Sequence, residues 1–290
     1  MPEALTLYAG RQICLTTRHG KQRALARPLA AGLGLELLVS DADTDRLGTF
    51  SGEIERQGDA LQTCRSKALL GLDATGLSLG LASEGSFGPH PAVPLLAVGQ
   101  ELLLFIDRER GLEVVEQQLE LRTNYSQITL EADGDPSPWL AQVGFPRHAV
   151  IARPASLPAA DASAGLLFKG LSTPQQLQTA LQACQDADPQ GQVWLETDMR
   201  AHLNPTRMTS IRRLGFALVR RLRSRCPACG SPGWGLVETE PGLPCSWCGE
   251  ATPLAASEIW GCPSCGERSR QPRHDGLTVA DPGHCSWCNP

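Results

Sequence analysis

The chain has 290 residues, 41% of them apolar and 20% charged, and carries a net charge of −5. That length allows one large domain or two smaller ones, and the charge opposes bulk attraction to nucleic acid. No run reaches the roughly 18 apolar residues of a membrane span, and the opening MPEALTLYAGR has an early acid and no long apolar stretch, so a cytoplasmic protein with no membrane partner is expected.

Residues 11–17, RQICLTT, predict a first strand, and a helix is expected over 21–32 with Leu25, Leu29 and Ala30 on one face. Between them lies a polar turn. A strand leading through such a turn into a helix N-terminus is a ready anion site, with Thr17, Arg18 and Lys21 as its phosphate-binding candidates. An ordinary turn with solvated basic residues is the plainer reading. A second strand is expected at 35–39, an acidic loop at 41–54, and a second helix at 59–71, with Asp59 as cap or first-turn acid. Leu61, Cys64, Ala68 and Leu72 form that helix's apolar stripe, which makes Cys64 a core residue rather than a nucleophile.

The word LGLASEGSFGPHP at 79–91 reads as a strand that stops near Glu84 and gives way to a stiff turn. A strand end with an adjacent glycine can present a carboxylate to a ligand, so Glu84 is the candidate metal or proton-transfer group. A tight turn with a solvated glutamate is the alternative. Residues 101–106 and 112–122 then predict an antiparallel hairpin about the turn 107–111. Further strands are expected at 125–131, 148–152, 165–168 and 192–196, with helices at 136–143 and 174–184. This mixture predicts an α/β fold, a mixed sheet flanked by helices.

The clearest helix is 204–223, with Asn204 as N-cap and Pro205 at its first position. Arg207, Arg212, Arg213, Arg220, Arg221, Arg223 and Arg225 fall in or just after it, and no acid lies between Asp198 and Glu238. These arginines either pair with acids of the main domain, the preferred reading, or contact phosphate. Just before the helix, Glu196, Asp198, Arg200 and His202 join Arg207 in a second polar constellation, either a functional site or a salt-bridged strand–helix junction.

Eight of the eleven cysteines form four Cys-x-x-Cys pairs: Cys226 with Cys229, Cys245 with Cys248, Cys262 with Cys265, and Cys285 with Cys288. In a reducing compartment such pairs are metal ligands rather than disulfides, and their spacing is that of zinc ribbons. Joining the pairs in sequential order is the first expectation, with a crossed arrangement left open. Two closed, structural Zn2+ sites are expected, leaving His274 and His284 on the surface. The domain layout expected is an α/β domain at 1–200, a connecting basic helix at 201–225 and a tandem zinc-ribbon module at 226–290.

The words ERQGDALQTCRSKA, LASEGSFGPHP, ETDMRAHLNPTRM, CPACGSPG, GLPCSWCG and CSWCNP together resemble a bacterial family of uncharacterised proteins, a domain of unknown function. More distantly, the first 110 residues resemble the house-cleaning pyrophosphatases that act on inosine and xanthosine triphosphates. Thr16, Thr17 and Lys21 look like that family's first polar turn, Glu55, Gly58, Lys67 and Ala68 like its Glu–Gly element and helix, and Glu84 like its strand-end acid. The chain departs from that pattern at Arg18, where asparagine is usual, in having Ser83 before Glu84 and Gly85 instead of an acid pair, and in lacking an asparagine in the second helix.

That resemblance implies a Mg2+-dependent hydrolase of nucleoside triphosphates or related phosphate compounds. Glu84, Glu55 and Asp59 would hold the cation and Lys21 and Arg18 the phosphates. The competing expectation is a non-catalytic module that binds nucleic acid or protein through its zinc ribbons. In that case Trp234, Trp247, Trp260 and Trp287 would stack on bases. Otherwise these rings cover the ribbon hairpins and seal the tail.

Overall fold

The computed structural model describes residues 7–40, 42, 59–90, 93–158 and 166–290. Its first strand, β1 (Gln12–Thr16), turns Ile13 and Leu15 to one face and Cys14 and Thr16 to the other, and all four are buried. Both faces must therefore be covered, as in a parallel sheet wrapped by helices. Helix α1 (Gln22–Leu33) follows, then β2 (Glu36–Ser40), α2 (Ala60–Thr75), β3 (Leu79–His90), β4 (Val93–Asp107) and β5 (Leu112–Glu120). The sheet order is β2-β1-β3-β4-β5; β1 runs parallel to β2 and β3, and the β3–β4–β5 pairings are antiparallel. The fold is thus mixed α/β with helices on both faces of this sheet.

Chain direction divides at β1. The connection through α1 reaches β2 on one side, and the return through α2 reaches β3 on the other. Leu25, Leu29 and Leu33 of α1 pack with Leu15, Leu81 and Phe105 on one sheet face. Cys64, Ala68 and Leu72 of α2 pack with Ala82, Leu102 and Leu104 on the opposite face. Such a reversal opens a crevice beyond the C-terminal ends of the strands that flank it.

The 79–91 stretch differs from the expected strand end. β3 runs on through Glu84 and Gly85 to His90, because β4 is 15 residues long and pairs with it in one register from Leu79 to Pro89, with a shift before His90. Phe87 lies opposite Gly99, and a side chain at 99 would collide with its ring. The missing side chain leaves the ring room to cover the strand at a place where glycines weaken it.

A second, antiparallel sheet stands beside the first. Its order is β6-β9-β7-β8, built from β6 (Gln127–Leu130), β7 (Val150–Pro154), β8 (Phe168–Leu171) and β9 (Val193–Thr197). Helices α3 (Ser137–Val143) and α4 (Pro174–Ala187) cover it through Trp139, Val143, Leu177 and Cys184.

Helix α5 (Pro205–Arg223) is capped by the Asn204 side chain, which accepts from the Arg207 N–H at 3.0 Å. It is more than a connector. Ile211, Leu214, Leu218, Val219 and Leu222 belong to the same core as α1. Its last turn leads into the cysteine-rich region, where β10 (Gly235–Pro241), β11 (Ala255–Gly261) and β12 (Arg268–Pro272) form an antiparallel sheet. No helix among the described residues is long and apolar enough to cross a membrane.

Candidate functional site and metal centres

β1 stops at Thr16 while β3 continues, so the turn after β1 folds over the part of β3 that β1 leaves unpaired. Lys21 is 7% exposed, and its Nζ donates to the Ser83 carbonyl at 2.7 Å and to Ser83 Oγ at 3.2 Å. Burial, and then the nearby Arg207 guanidinium, lower its pKa from 10.5 to about 8. The carboxylates around it are already engaged. Glu84, buried on the α2 side of β3, is ion-paired with Lys67. Glu101 of β4 accepts from Arg207 Nε at 2.6 Å, and both partners are buried. Among the described residues no carboxylate ion-pairs with Lys21.

Gly85 makes this arrangement possible. It lies opposite Glu101 in the register, and a Cβ there would sit 2.4 Å from Arg207 Nη2 and 2.8 Å from Glu101 Oε2. The guanidinium therefore lies directly on the β3 backbone, donating also to the Met199 carbonyl and passing over the Phe87 ring.

The second constellation comes together only in part. His202 stacks on His19 with ring centroids 5.4 Å apart, which brings the turn after β9 to the turn after β1. Burial, with Lys21 as the next cause, holds His19 down at about 3, and burial also lowers His202, so both rings are neutral near pH 7. Asp198 is fully buried and held by Arg200 at 2.6 Å and by the Gly170 N–H at 3.1 Å. Because β9 ends at Thr197, Glu196, Asp198 and Arg200 do not continue along one extended face. Glu196 stays on the second sheet, where its carboxylate accepts from the Trp194 indole and its pKa is raised by burial.

Of the other candidates, Asp59 caps α2, accepting from the Gln62 N–H at 2.7 Å in a capping box. Thr17 and Arg18 lie in the turn beside Lys21, and Glu55 lies outside the described residues. Cys64 is a core residue, its thiol pushed up to about 12 by burial. The turn candidates were legible from the strand–turn–helix pattern. Glu101 was not, since ELLLFI reads simply as a buried strand, and its only signal was an acid opening an otherwise apolar run.

In the tail the cysteines gather in two quartets: Cys226, Cys229, Cys262 and Cys265, and Cys245, Cys248, Cys285 and Cys288. The sequential order is thus replaced by the crossed one. A single strand, β10, separates the first knuckle from the second and carries them to opposite ends of a seven-residue strand, about 23 Å long. Two strands separate the first knuckle from the third, and the return through β11 puts Gly261 opposite Gly235. The same count joins the second knuckle to the fourth.

The geometry fits a tetrahedral ion. Sulfur separations are 3.8 Å for Cys226–Cys265, 3.7 Å for Cys229–Cys262, 3.9 Å for Cys245–Cys288 and 3.7 Å for Cys248–Cys285. A regular tetrahedron with metal–sulfur bonds of about 2.3 Å has edges of about 3.8 Å. Three knuckles close in the same way, Gly230, Gly249 and Gly266 standing at φ +71°, +76° and +76° and donating back to the carbonyl of the knuckle's first cysteine. In the fourth, Asn289 makes that bond at 2.8 Å. The two quartets can therefore hold metal ions such as zinc.

The chain belongs to the family described as a domain of unknown function (DUF6671). That family's pattern matches residues 67–290. No curated protein and no solved structure matches the chain. The DUF6671 span takes in Glu84, Glu101, Arg207 and both quartets, and begins after Lys21.

The tail's aromatic and basic residues divide. Trp234 is buried and Trp260 half-buried against the first quartet, whereas Trp247 and Trp287, one on each Cys-Ser-Trp-Cys knuckle of the second quartet, are 79% and 78% exposed. Arg207, Arg213 and Arg221 pair with Glu101, Glu120 and Glu116 of the first sheet.

Proposed function

We propose that the crevice beyond β1 and β3 binds the phosphates of a nucleoside triphosphate or a related phosphate compound, and that the protein hydrolyses it. Lys21 carries the proposal: a buried ammonium whose partners here are neutral, amid carboxylates that hold other cations. Burial makes that charge costly, Glu84 and Glu101 offset the cost only in part, and an anion entering the crevice would offset it further. Thr17 and Arg18 in the same turn add a hydroxyl and a positive charge. The likeness of this turn and of Lys67-Ala68 to the triphosphate pyrophosphatases points the same way. Mg2+ would supply charge neutralisation at the phosphates, with Glu84 as its protein ligand in place of the Lys67 pairing. A nucleotide panel assayed with and without magnesium tests the reading. We expect at least one triphosphate to bind and turn over, with binding lost in Lys21→Met and turnover lost in Glu84→Gln. Failure of every triphosphate to bind would remove the proposal, and turnover indifferent to Glu84→Gln would remove that residue's role.

We propose further that each quartet holds one structural Zn2+ and that residues 226–290 form a module joined to the α/β part through α5. Four thiolates leave no open coordination position, and so small a segment draws much of its folding free energy from metal. A second reading, a binding module without catalysis, is favoured by the exposure of Trp247 and Trp287 on one metal-held knuckle pair. Glu250 and Asp281 near those knuckles oppose a polyanion. Salt-sensitive binding of single-stranded DNA or RNA would support a nucleic-acid partner, and its absence at low salt would leave a protein one.

A further inference from the structure

A groove of about 880 Å3 runs between the first sheet and the cysteine-rich sheet. Its two walls are sheet edges: β5 ends the first sheet and β10 ends the cysteine-rich one. At one point they are bridged by a single side chain. Arg221 Nη1 donates to the Val115 carbonyl of β5 at 2.9 Å and to the Leu236 carbonyl of β10 at 3.1 Å. A side-chain N–H thus occupies the place that a backbone N–H of an added strand would take. Gln117, two residues beyond Val115, turns its backbone to the same side. Among the described residues no other main chain pairs with these edges.

The groove is partly apolar. Val115 and Val237 line it, and Trp260 is fixed by its indole N–H bond to the buried Glu258 at 3.1 Å. Its charges are almost all matched. Glu116 meets Arg221, Glu238 meets Arg268, and Glu258 meets His274. Arg220, exposed on α5, is the lining residue left with no acid among the described residues.

We infer that this groove binds an extended peptide segment of a partner protein by strand addition, with an acidic side chain of the peptide on Arg220. The open edges supply main-chain bonds, the indole and valines supply pockets for alternate side chains, and Arg220 supplies selection by charge. The inference is independent of the phosphate site.

The test uses the intact, metal-loaded protein and three eight-residue peptides of alternating valine and threonine with a central glutamate, glutamine or lysine, followed by fluorescence anisotropy. The glutamate peptide is expected to bind saturably and the lysine peptide about tenfold or more weakly. Arg220→Glu should invert that order, while Arg212→Glu, which changes an exposed arginine off the groove, should not. Methylating alternate amides of the peptide should abolish binding. No saturable binding by any of the three would overturn the inference. So would an order unchanged by Arg220→Glu, binding indifferent to amide methylation, or competition by single-stranded RNA in place of peptide.

Discussion

At residue scale the crevice rests on one close approach, that of Arg207 over Gly85. Arg207 and Glu101 are both buried, so removing either strands a charge. Arg207→Met is expected to cost about 3–5 kcal/mol in denaturant unfolding. Gly85→Ala should cost about 1–3 kcal/mol, because the methyl group lands on the guanidinium. A Gly85→Ala protein as stable as the parent would show that the pair does not need that approach. His19 gives a pH signature. Its folded pKa of about 3 lies below the ordinary 6.5, so between these values the unfolded chain takes up a proton that the folded chain refuses. Stability should therefore fall as pH drops from 6.5 toward 3, and less steeply in His19→Phe. An equal slope in both proteins would contradict the half-buried neutral imidazole.

At the scale of elements, strand parity decides how the knuckles join. Cys226→Ser with Cys262→Ser removes ligands from one quartet only, whereas Cys226→Ser with Cys245→Ser damages both. Metal analysis should find one zinc per chain in the first double variant and none in the second. The reverse result would restore the sequential order. The knuckles themselves were plain in the sequence, since Cys-x-x-Cys followed by glycine is a local signal. Their partners were not, because pairing depends on how many strands intervene, and 235–241 has weak alternation. The same limit explains Glu84. Local chemistry, with three glycines and two prolines in 79–91, argues for a turn, and only the length of β4 makes it a strand. Helix α5 was legible down to its cap because Asn204 and Pro205 act within one turn.

Across the whole molecule, α5 spans from the crevice, where Arg207 sits, to the first quartet, where Gly233 donates to the Arg221 and Ser224 carbonyls. If residues 226–290 are a separate metal-dependent module, chelation should unfold them while the two sheets before them keep their hydrogen-exchange protection. Cooperative loss of the whole chain would show instead a single unit running through α5. The crevice itself turns on Lys21. Burial holds its pKa down at about 8, and an anion bound beside it raises that value, so binding near pH 8 is expected to draw protons from solution. Calorimetric titration with inosine triphosphate at pH 8, repeated in buffers of different ionisation enthalpy, measures that proton directly. We expect net proton uptake by the parent protein relative to Lys21→Met, and affinity that weakens as pH rises above 8. Binding with the same proton balance and affinity in both proteins would contradict the account.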